Sequence, residues 1–540
     1  MTKIKSTLAE LVEEQIGIEV TENDIERADR HADFAYPCMA ASSELGKSPR
    51  DIAEDLSNNI EDDIIESMEV AGPGYLNFHL DREKYAEKID EELSSEAFGV
   101  KQKDDKVLVE FSCPNLAKPM HIGHLRNNFL GDSLQRIMRF VGHDVTSENY
   151  IGDWGTKHGQ VIYAFKKWGS MEEFEEDPMG HMYELYVKLH DKASEEDKRK
   201  SREWSKKIEE GDEEAVELWE MFREATIEHN ESEYERMGIS FDRVTGESVV
   251  AEEAQGIIEE GLEKGIFQED EDGSIYVEFE KEELPSTVVK RDDGSTLYLS
   301  RDVANIRKRE REGFDQNLYI VANEQDLHFQ QLFAIAERFG IEIHSEHISY
   351  GMLHLQDGSI SSSKGNIITF GEVMDEAVEK ASEIEGRDID NDEAVGLGAL
   401  KYANLSVSRP KDISFSWEQV LSFEGDSGPY LQYSNVRAKS ILRDASNSGS
   451  FDGEFNDQEY ELLKKLAEFP EKVEAAAEQR EPAKIANYLS TLSEEFNSFY
   501  HECEVLGSEE EEKRLKLVEL FVDVSDQGLE LLGIESLDEM

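Results

Sequence analysis

The chain is poor in cysteine. It has three in 540 residues, Cys38, Cys113 and Cys503. They stand too far apart, with no paired spacing, for a zinc cluster or a disulfide framework. No apolar run approaches the length of about eighteen residues that spans a bilayer, which argues against a membrane partner. The opening MTKIKSTLAELVEEQ has the spacing of an amphipathic helix and lacks the charged-then-apolar order of a signal peptide. The expectation is a reduced, cytoplasmic protein without zinc.

Positive charge is scarce as well. Lys and Arg total 57 against 122 Asp and Glu, a formal net charge of −65. The acids run through the whole chain, and enough aliphatic and aromatic residues remain for cores, so disorder is not indicated. Self-repulsion on this scale opposes compaction in dilute salt, whereas molar salt shortens the Debye length to about 3 Å. We read a protein adapted to a salty cytoplasm, such as a halophile's. A nucleic-acid binder ordinarily carries a basic footprint. Under strong screening both repulsion and counterion release fade and contact geometry carries recognition, so the charge does not exclude RNA.

What is present centres on residues 106–155. Val107, Leu108, Val109 and Phe111 form the short apolar run of a buried strand. A loop bracketed by Pro114 and Pro119 follows, then a helix from near His121, then a second strand over 144–153. This β-loop-α-β unit puts His-Ile-Gly-His on the first turn of a helix. Free N–H groups there suit a phosphate. His121 and His124 share a helical face, and Gly123 lets a flat ligand approach the backbone.

Around this unit the chain divides into an N-terminal α/β domain (1–105), a doubly wound parallel-sheet (Rossmann-like) α/β domain (106–405) and a C-terminal α-helical bundle (406–540). In the first domain, helical spacing in 6–17, a helix pair around Ser48-Pro49 and a strand over 75–80 precede an acidic spacer at 81–105. A largely helical insertion occupies about 160–285. Its basic cluster Lys198, Arg199, Lys200, Arg202, Lys206 and Lys207 is interleaved with acids and reads as a solvated face. The second half of the sheet starts near 286, with a strand, a DDG turn at 292–294, a helix carrying Tyr298 and Asp302, and a buried strand LYIVA. Ligands of such sheets sit beyond the strands' carboxyl ends at the switch point. Tyr298 and Asp302 lie four apart on one helical face, where an aromatic wall and an acid suit a guanidinium.

The stretch EFSCPNLAKPMHIGHLRNN, with NYIGDWGTKHGQ after it, closely resembles the class I aminoacyl-tRNA synthetases, and among them the arginyl-tRNA synthetases. The resemblance extends to the ADFA segment, the PGYLNF strand, SRPKDISFSWEQV, GPYLQYSNVRAKS and the closing LLGIESLDEM. It covers nearly the whole chain and is weakest in 160–285. It implies an arginine–tRNA ligase that activates L-arginine with ATP and Mg2+ carried by the nucleotide. Arginine then passes to the terminal adenosine of tRNA(Arg), through the 2′-OH, and tRNA is generally needed before the adenylate forms. A monomer is implied, with the N-terminal domain touching the tRNA elbow. A small-molecule nucleotidyltransferase of the same superfamily lacks the flanking domains, and a cysteine-specific relative needs zinc ligands absent here. A non-catalytic tRNA-binding relative is supported only by a lysine missing from the Ser-rich loop at 359–364.

The resemblance also assigns residues. Asn115, Leu116, Ala117, Lys118, Pro119, Met120, His121, Ile122, Gly123 and His124 form the HIGH region. ATP falls to His121, Gly123, His124, Met352, Leu353, Ser361, Ser362, Ser363 and Lys364. The superfamily's second signature, a Lys-Met-Ser-Lys-Ser loop, is replaced by Ser359, Ile360, Ser361, Ser362, Ser363 and Lys364 before Gly365-Asn366, so one phosphate-binding lysine is missing. Many arginyl enzymes share this departure and carry a lysine just before HIGH. Lys118 stands there, with Lys364 as the other candidate. Arginine recognition is implied for Tyr298, Asp302 and Gln325, with Glu110, Asn115 and His124 toward its other end. Cys113 replaces a common Ser, and Asp153 is expected to organise strand ends. For RNA bases, which stack on aromatics and Arg, Tyr430, Tyr433, Asn435, Arg437 and Arg443 are the candidates. Packing of the bundle is an equal reading for each.

Overall fold

In the computed structural model, Lys106–Glu110 (β1) is the central strand of a five-stranded sheet. The described residues are 3–28, 32–279, 282–292, 296–355, 368–383, 391–422 and 425–540. The other strands are Asp144–Ile151 (β2), Arg243–Gly246 (β3), Gln316–Ala322 (β4) and His344–Tyr350 (β5). They run parallel in the order β5-β4-β1-β2-β3. Val107, Leu108 and Val109 are fully buried, as a strand covered on both faces requires. The strand order reverses between β1 and β4, so the crevice opens beyond Glu110 and Ala322.

The helix Ile122–Phe140 (α1) crosses from β1 to β2, buried along most of its length. Gly131 lets it sit on the strand end, since a Cβ there would lie 2.1 Å from Phe111 Cγ. Five helices follow: Thr156–Trp168 (α2), Pro178–Lys192 (α3), Glu195–Glu209 (α4), Glu213–Met237 (α5) and, between α2 and α3, the short Met171–Glu176. They pack around Phe165, Phe174 and Phe222. On α4, Lys198, Arg199, Lys200 and Lys206 pair with Glu195, Glu203, Glu196 and Glu210, the solvated face read from sequence.

Three expectations change here. The edge strand β3 lies inside the stretch read as helical insertion, because RVTG is too short and polar to signal a strand. Leu284–Lys290 is a strand, but it joins an antiparallel three-stranded sheet and not the parallel one. The acidic spacer contains a helix, Arg82–Leu93, which Asp81 caps by accepting the Lys84 N–H at 3.0 Å. The second half of the parallel sheet is framed by Tyr298–Arg311 (α6) and Asp326–Phe339 (α7).

The chain splits into two compact units, one of Lys103–Leu421 with Leu532–Ile534 and one of Met1–Gln102 with Ser422–Leu531 and Glu535–Met540. In the latter, a four-stranded antiparallel sheet with helices packs on a bundle. The bundle includes Gly428–Asp444 (α8), Ala483–Glu502 (α9) and Glu511–Leu531 (α10). Arg27 joins the two parts, bonding to Ala467 O at 2.8 Å and to Glu471.

Candidate active site

Beyond Glu110 the backbone leaves the extended region. Ser112, Cys113 and Ala117 have φ of 71°, 50° and 57°, a left-handed conformation that residues with a Cβ adopt at a cost. Buried polar bonds hold it. The Ser112 N–H donates to Asn127 Oδ1, and Asn127 Nδ2 donates to Ile320 O at 2.6 Å. The Cys113 N–H donates to Asn149 Oδ1 at 3.2 Å, and the Tyr234 hydroxyl meets both Ser112 Oγ and Asn149 Nδ2. The Ala117 N–H donates to Thr226 Oγ1, so Leu116 and Ala117 are buried parts of the turn. Asn115 bridges to Gly152, is exposed, and takes Lys157 Nζ at 3.4 Å.

This turn delivers His121 to the N-cap of α1. Its Nδ1 accepts the Gly123 N–H at 3.1 Å, and His124 Nδ1 accepts the His121 N–H at 3.1 Å. With both Nδ1 atoms accepting, each neutral ring carries its proton on Nε2. Burial lowers both pKa values, helped by Lys118, and His124 is pushed down to about 4. The expectation of free helix-terminal N–H groups is corrected. Ile122 donates to Ile368 O at 3.0 Å, Gly123 to His121 Nδ1, and His124 to His121 O at 2.7 Å. The donors left for an anion are the two Nε2–H groups and Lys118. Gly123 also has an internal reason, since a Cβ there would come within 2.9 Å of His121 Cε1. Lys118 is half-buried and makes no hydrogen bond or ion pair among the described residues.

Residues 368–370 fasten the motif from the other side. Besides the Ile122 bond, the Phe370 N–H donates to Met120 O at 3.1 Å. Arg126, buried in α1, donates to Gly351 O at 2.7 Å and to the carbonyls of Lys411 and Ser408. Met352 donates its N–H to Asp412 Oδ1 at 2.7 Å, and Leu353 pairs with Ile413. Ser359, Ile360, Ser361, Ser362, Ser363, Lys364, Gly365 and Asn366 lie outside the described residues, as does most of the DDG turn.

Among the described residues four carboxylates converge on the crevice, and each faces a basic side chain. Glu110 and Glu148 both take the fully buried Arg309, and Glu148 also faces Arg243. Burial pushes Glu110 up to about 7 against the pull of Arg309. For Glu148 burial is outweighed by Arg309 and Arg243, and its pKa is lowered. Glu247, just after β3, lies 3.1 Å from Arg301 Nη2, and burial raises it to about 7. Asp302 Oδ2 lies 2.8 Å from His328 Nε2. Tyr298 is 49% exposed, with the Arg301 guanidinium 5.1 Å from its ring centroid. Gln325 is exposed at the start of α7. Cys113 Sγ donates to Glu110 at 3.7 Å, its pKa raised by burial and that carboxylate.

Glu247, His328 and Arg309 were not singled out from the sequence. Glu247 follows the unrecognised strand, and His328 meets a residue 26 positions away with no spacing to announce it. Asp153 accepts from Arg223 Nε at 2.9 Å and from the Ser248 N–H and Oγ, both at 2.8 Å, which ties the ends of β2 and β3 together.

In the bundle, the Arg437 guanidinium lies 4.7 Å from the Tyr433 ring and 5.3 Å from that of Tyr500, and it donates to Asn497. The Tyr430 hydroxyl accepts from Asn497 at 3.0 Å, and exposed Arg443 donates to Asp538 O. Asn435 is fully buried, donating to Asp526 at 2.7 Å, and is a packing residue where an RNA contact was anticipated. Among the described residues no group of three or more His, Cys, Asp or Glu is arranged to hold a metal ion, and no helix is long and apolar enough to cross a membrane.

Comparison with known proteins matches residues 88–417 to the family model "tRNA synthetases class I (R), catalytic domain". Residues 431–540 match the DALR anticodon binding domain and 1–80 the arginyl tRNA synthetase N terminal domain. An arginine–tRNA ligase of Halothermothrix orenii is 35% identical, with 100% of each chain covered. One of Pediococcus pentosaceus is 36% identical, over 100% of this chain and 99% of that one. Thermus thermophilus arginyl-tRNA synthetase superimposes with a TM-score of 0.79 at 25% identity, covering 99% of this chain and 100% of its own. For the Plasmodium falciparum enzyme the TM-score is 0.81 at 22% identity, with 100% and 99% covered.

Proposed function

The chain belongs to the arginyl-tRNA synthetases, class I aminoacyl-tRNA synthetases that join arginine to tRNA at the expense of ATP, and from that premise we propose how its residues divide the work. Activation needs the arginine carboxylate in line with the α-phosphorus while pyrophosphate leaves. The protein's part is position and positive charge. Lys118 and the Nε2–H groups of His121 and His124 serve the phosphates, together with Lys364. The observation that carries this reading is the pair of neutral, backbone-tethered imidazoles beside a lysine with no partner among the described residues. In a chain of net charge −65, a half-buried ammonium with no partner among the described residues is a place kept for an anion. Gly123, Met352, Leu353 and the Ser361–Ser363 stretch take the rest of the nucleotide. Magnesium comes with ATP and neutralises phosphate charge. The carboxylates of the crevice already have cation partners, which fits a metal held by the nucleotide.

Asp302 and Tyr298 receive the arginine guanidinium, with Gln325 beside them and Glu110, Asn115 and His124 toward the amino-acid end. Tyr430, Tyr433, Arg437 and Arg443 face tRNA(Arg), and the Tyr433–Arg437–Tyr500 stack offers a platform for an unpaired base. The enzyme works as a cytoplasmic monomer, with residues 1–105 at the tRNA elbow. The test is ATP–pyrophosphate exchange in molar KCl with each amino acid, with and without tRNA. Exchange that requires both arginine and tRNA is expected. Exchange driven by another amino acid overturns the reading.

A further inference from the structure

Among the described residues, three of the four crevice carboxylates are held by cations that never discharge, Glu148 sharing Arg309 with Glu110. Glu110 faces Arg309 and Glu247 faces Arg301, and a guanidinium stays protonated at any accessible pH. Asp302 differs, because its partner at 2.8 Å is the imidazole of His328. We propose that His328 is the counter-ion of Asp302 until arginine binds, and that binding of arginine displaces the proton of His328 to solvent. This rests on the reading that Asp302 receives the guanidinium.

The step balances simply. Imidazolium and carboxylate form one ion pair, and the incoming guanidinium forms another with the same carboxylate. Two cations then compete for one acid, and only the imidazole can resolve the conflict by losing a proton. His328 has the surroundings for this. Its ring stands edge-on to Phe329 at 5.5 Å, and from β5 it is faced by His347, which carries Asp326 at 3.2 Å. From α6 it is faced by Asp302, which lies in the field of Glu110 and Glu247. Asp302 raises the His328 pKa above its ordinary value despite burial, which favours the protonated ring before arginine arrives. A neutral isostere with a urea in place of the guanidinium has no charge with which to expel it. His328 thus acts as a positioning residue and a charge filter.

The consequence is measurable on the whole enzyme. Arginine is titrated calorimetrically in molar KCl at about pH 6.5, in two buffers of different ionisation enthalpy, and the difference counts protons. Proton release on arginine binding is expected at that pH, and it should diminish as the pH rises and the imidazole is already neutral. In parallel, KM for arginine in tRNA-dependent exchange should fall by up to tenfold per pH unit below the His328 pKa and then level. His328→Asn keeps a donor for Asp302 but cannot titrate, so it should release no proton and show a flat KM profile. Binding without proton release by the wild-type chain overturns the proposal, as does an unchanged profile in His328→Asn. The calorimetric count needs no variant and stands if His328→Asn does not fold. Absence of any arginine binding overturns the underlying reading of the pocket, an outcome distinct from binding without release.

Discussion

His121 and His124 cap one helix together, their ring centroids 4.1 Å apart, each Nδ1 bound to a backbone N–H of the same turn. The arrangement uses up one nitrogen of each ring to fix the other. The N–H groups of Ile122, Gly123 and His124 are also taken up, so the donors left free at this end are side-chain ones.

Asparagine and glutamine separate the two tasks. The Asn carbonyl oxygen occupies roughly the place of Nδ1 and preserves the cap, but nothing replaces Nε2–H. Gln reaches the Nε2 position and loses the cap. His121→Asn should therefore lower the exchange rate by about a hundredfold with stability nearly unchanged. His121→Gln should lose about 1 kcal/mol of stability and keep more of the rate. Denaturant unfolding and pyrophosphate exchange on the two proteins decide it, and a fully active Asn variant would exclude Nε2–H as a phosphate donor.

How far the sequence revealed this site depends on the kind of interaction. The strand β1 and the helix start were legible because Val107, Leu108 and Val109 are apolar and Pro114 and Pro119 bracket the loop between them. Lys118 stood out as a candidate through its place before HIGH, because the Ser-rich loop has one lysine, Lys364, where the superfamily signature has two. The reciprocal imidazole caps were not, since composition says nothing about which ring nitrogen turns inward. Arg309 was hidden among the charged residues of α6, and only folding shows that it alone of them is driven under the sheet between Glu110 and Glu148. Helix Arg82–Leu93 was masked by its acidity, although Asp81 carried the cap signal.

Lys118 and Lys364 are the two candidates for the missing loop charge, and their effects should differ in size. Lys118 sits close enough to His121 and His124 to lower the pKa of both, and under the proposed function the three serve one phosphate group. Lys118→Ala is expected to cut turnover by about a hundredfold more than Lys364→Ala in single-turnover exchange. Comparable losses would show that the compensating charge is not at Lys118.

Arg309 gives a prediction about folding. It is fully buried between two carboxylates, and its Nη1 also donates to Asn317 Oδ1 at 3.0 Å. Arg309→Leu leaves Glu110 and Glu148 buried with one guanidinium, Arg243, on the Glu148 side only. Removing one partner from such a group costs about 3–5 kcal/mol. Changing Glu110 to Gln in the same chain should restore part of that loss by removing an uncompensated charge. If chemical denaturation finds the single variant as stable as the parent, the triad contributes nothing to the fold.

Salt tests the reading of the composition. Exposed pairs such as Arg199–Glu203 and Lys200–Glu196 contribute little and weaken as salt rises. The net charge of −65 acts the other way, because screening that shortens the Debye length from about 10 Å to about 3 Å relieves repulsion across the whole molecule. Acids outnumber bases about twofold, so relief should win, and the thermal midpoint should climb from about 0.1 M to 1 M KCl. The same balance predicts an inverted response to tRNA. Ordinary nucleic-acid binders lose affinity steeply with salt through counterion uptake, whereas here low salt makes polyanion repel polyanion. KM for tRNA should stay level or fall as KCl rises over that range. A midpoint that drops with KCl, or a tRNA KM that rises as steeply as for a basic protein, would remove the case for a salty cytoplasm.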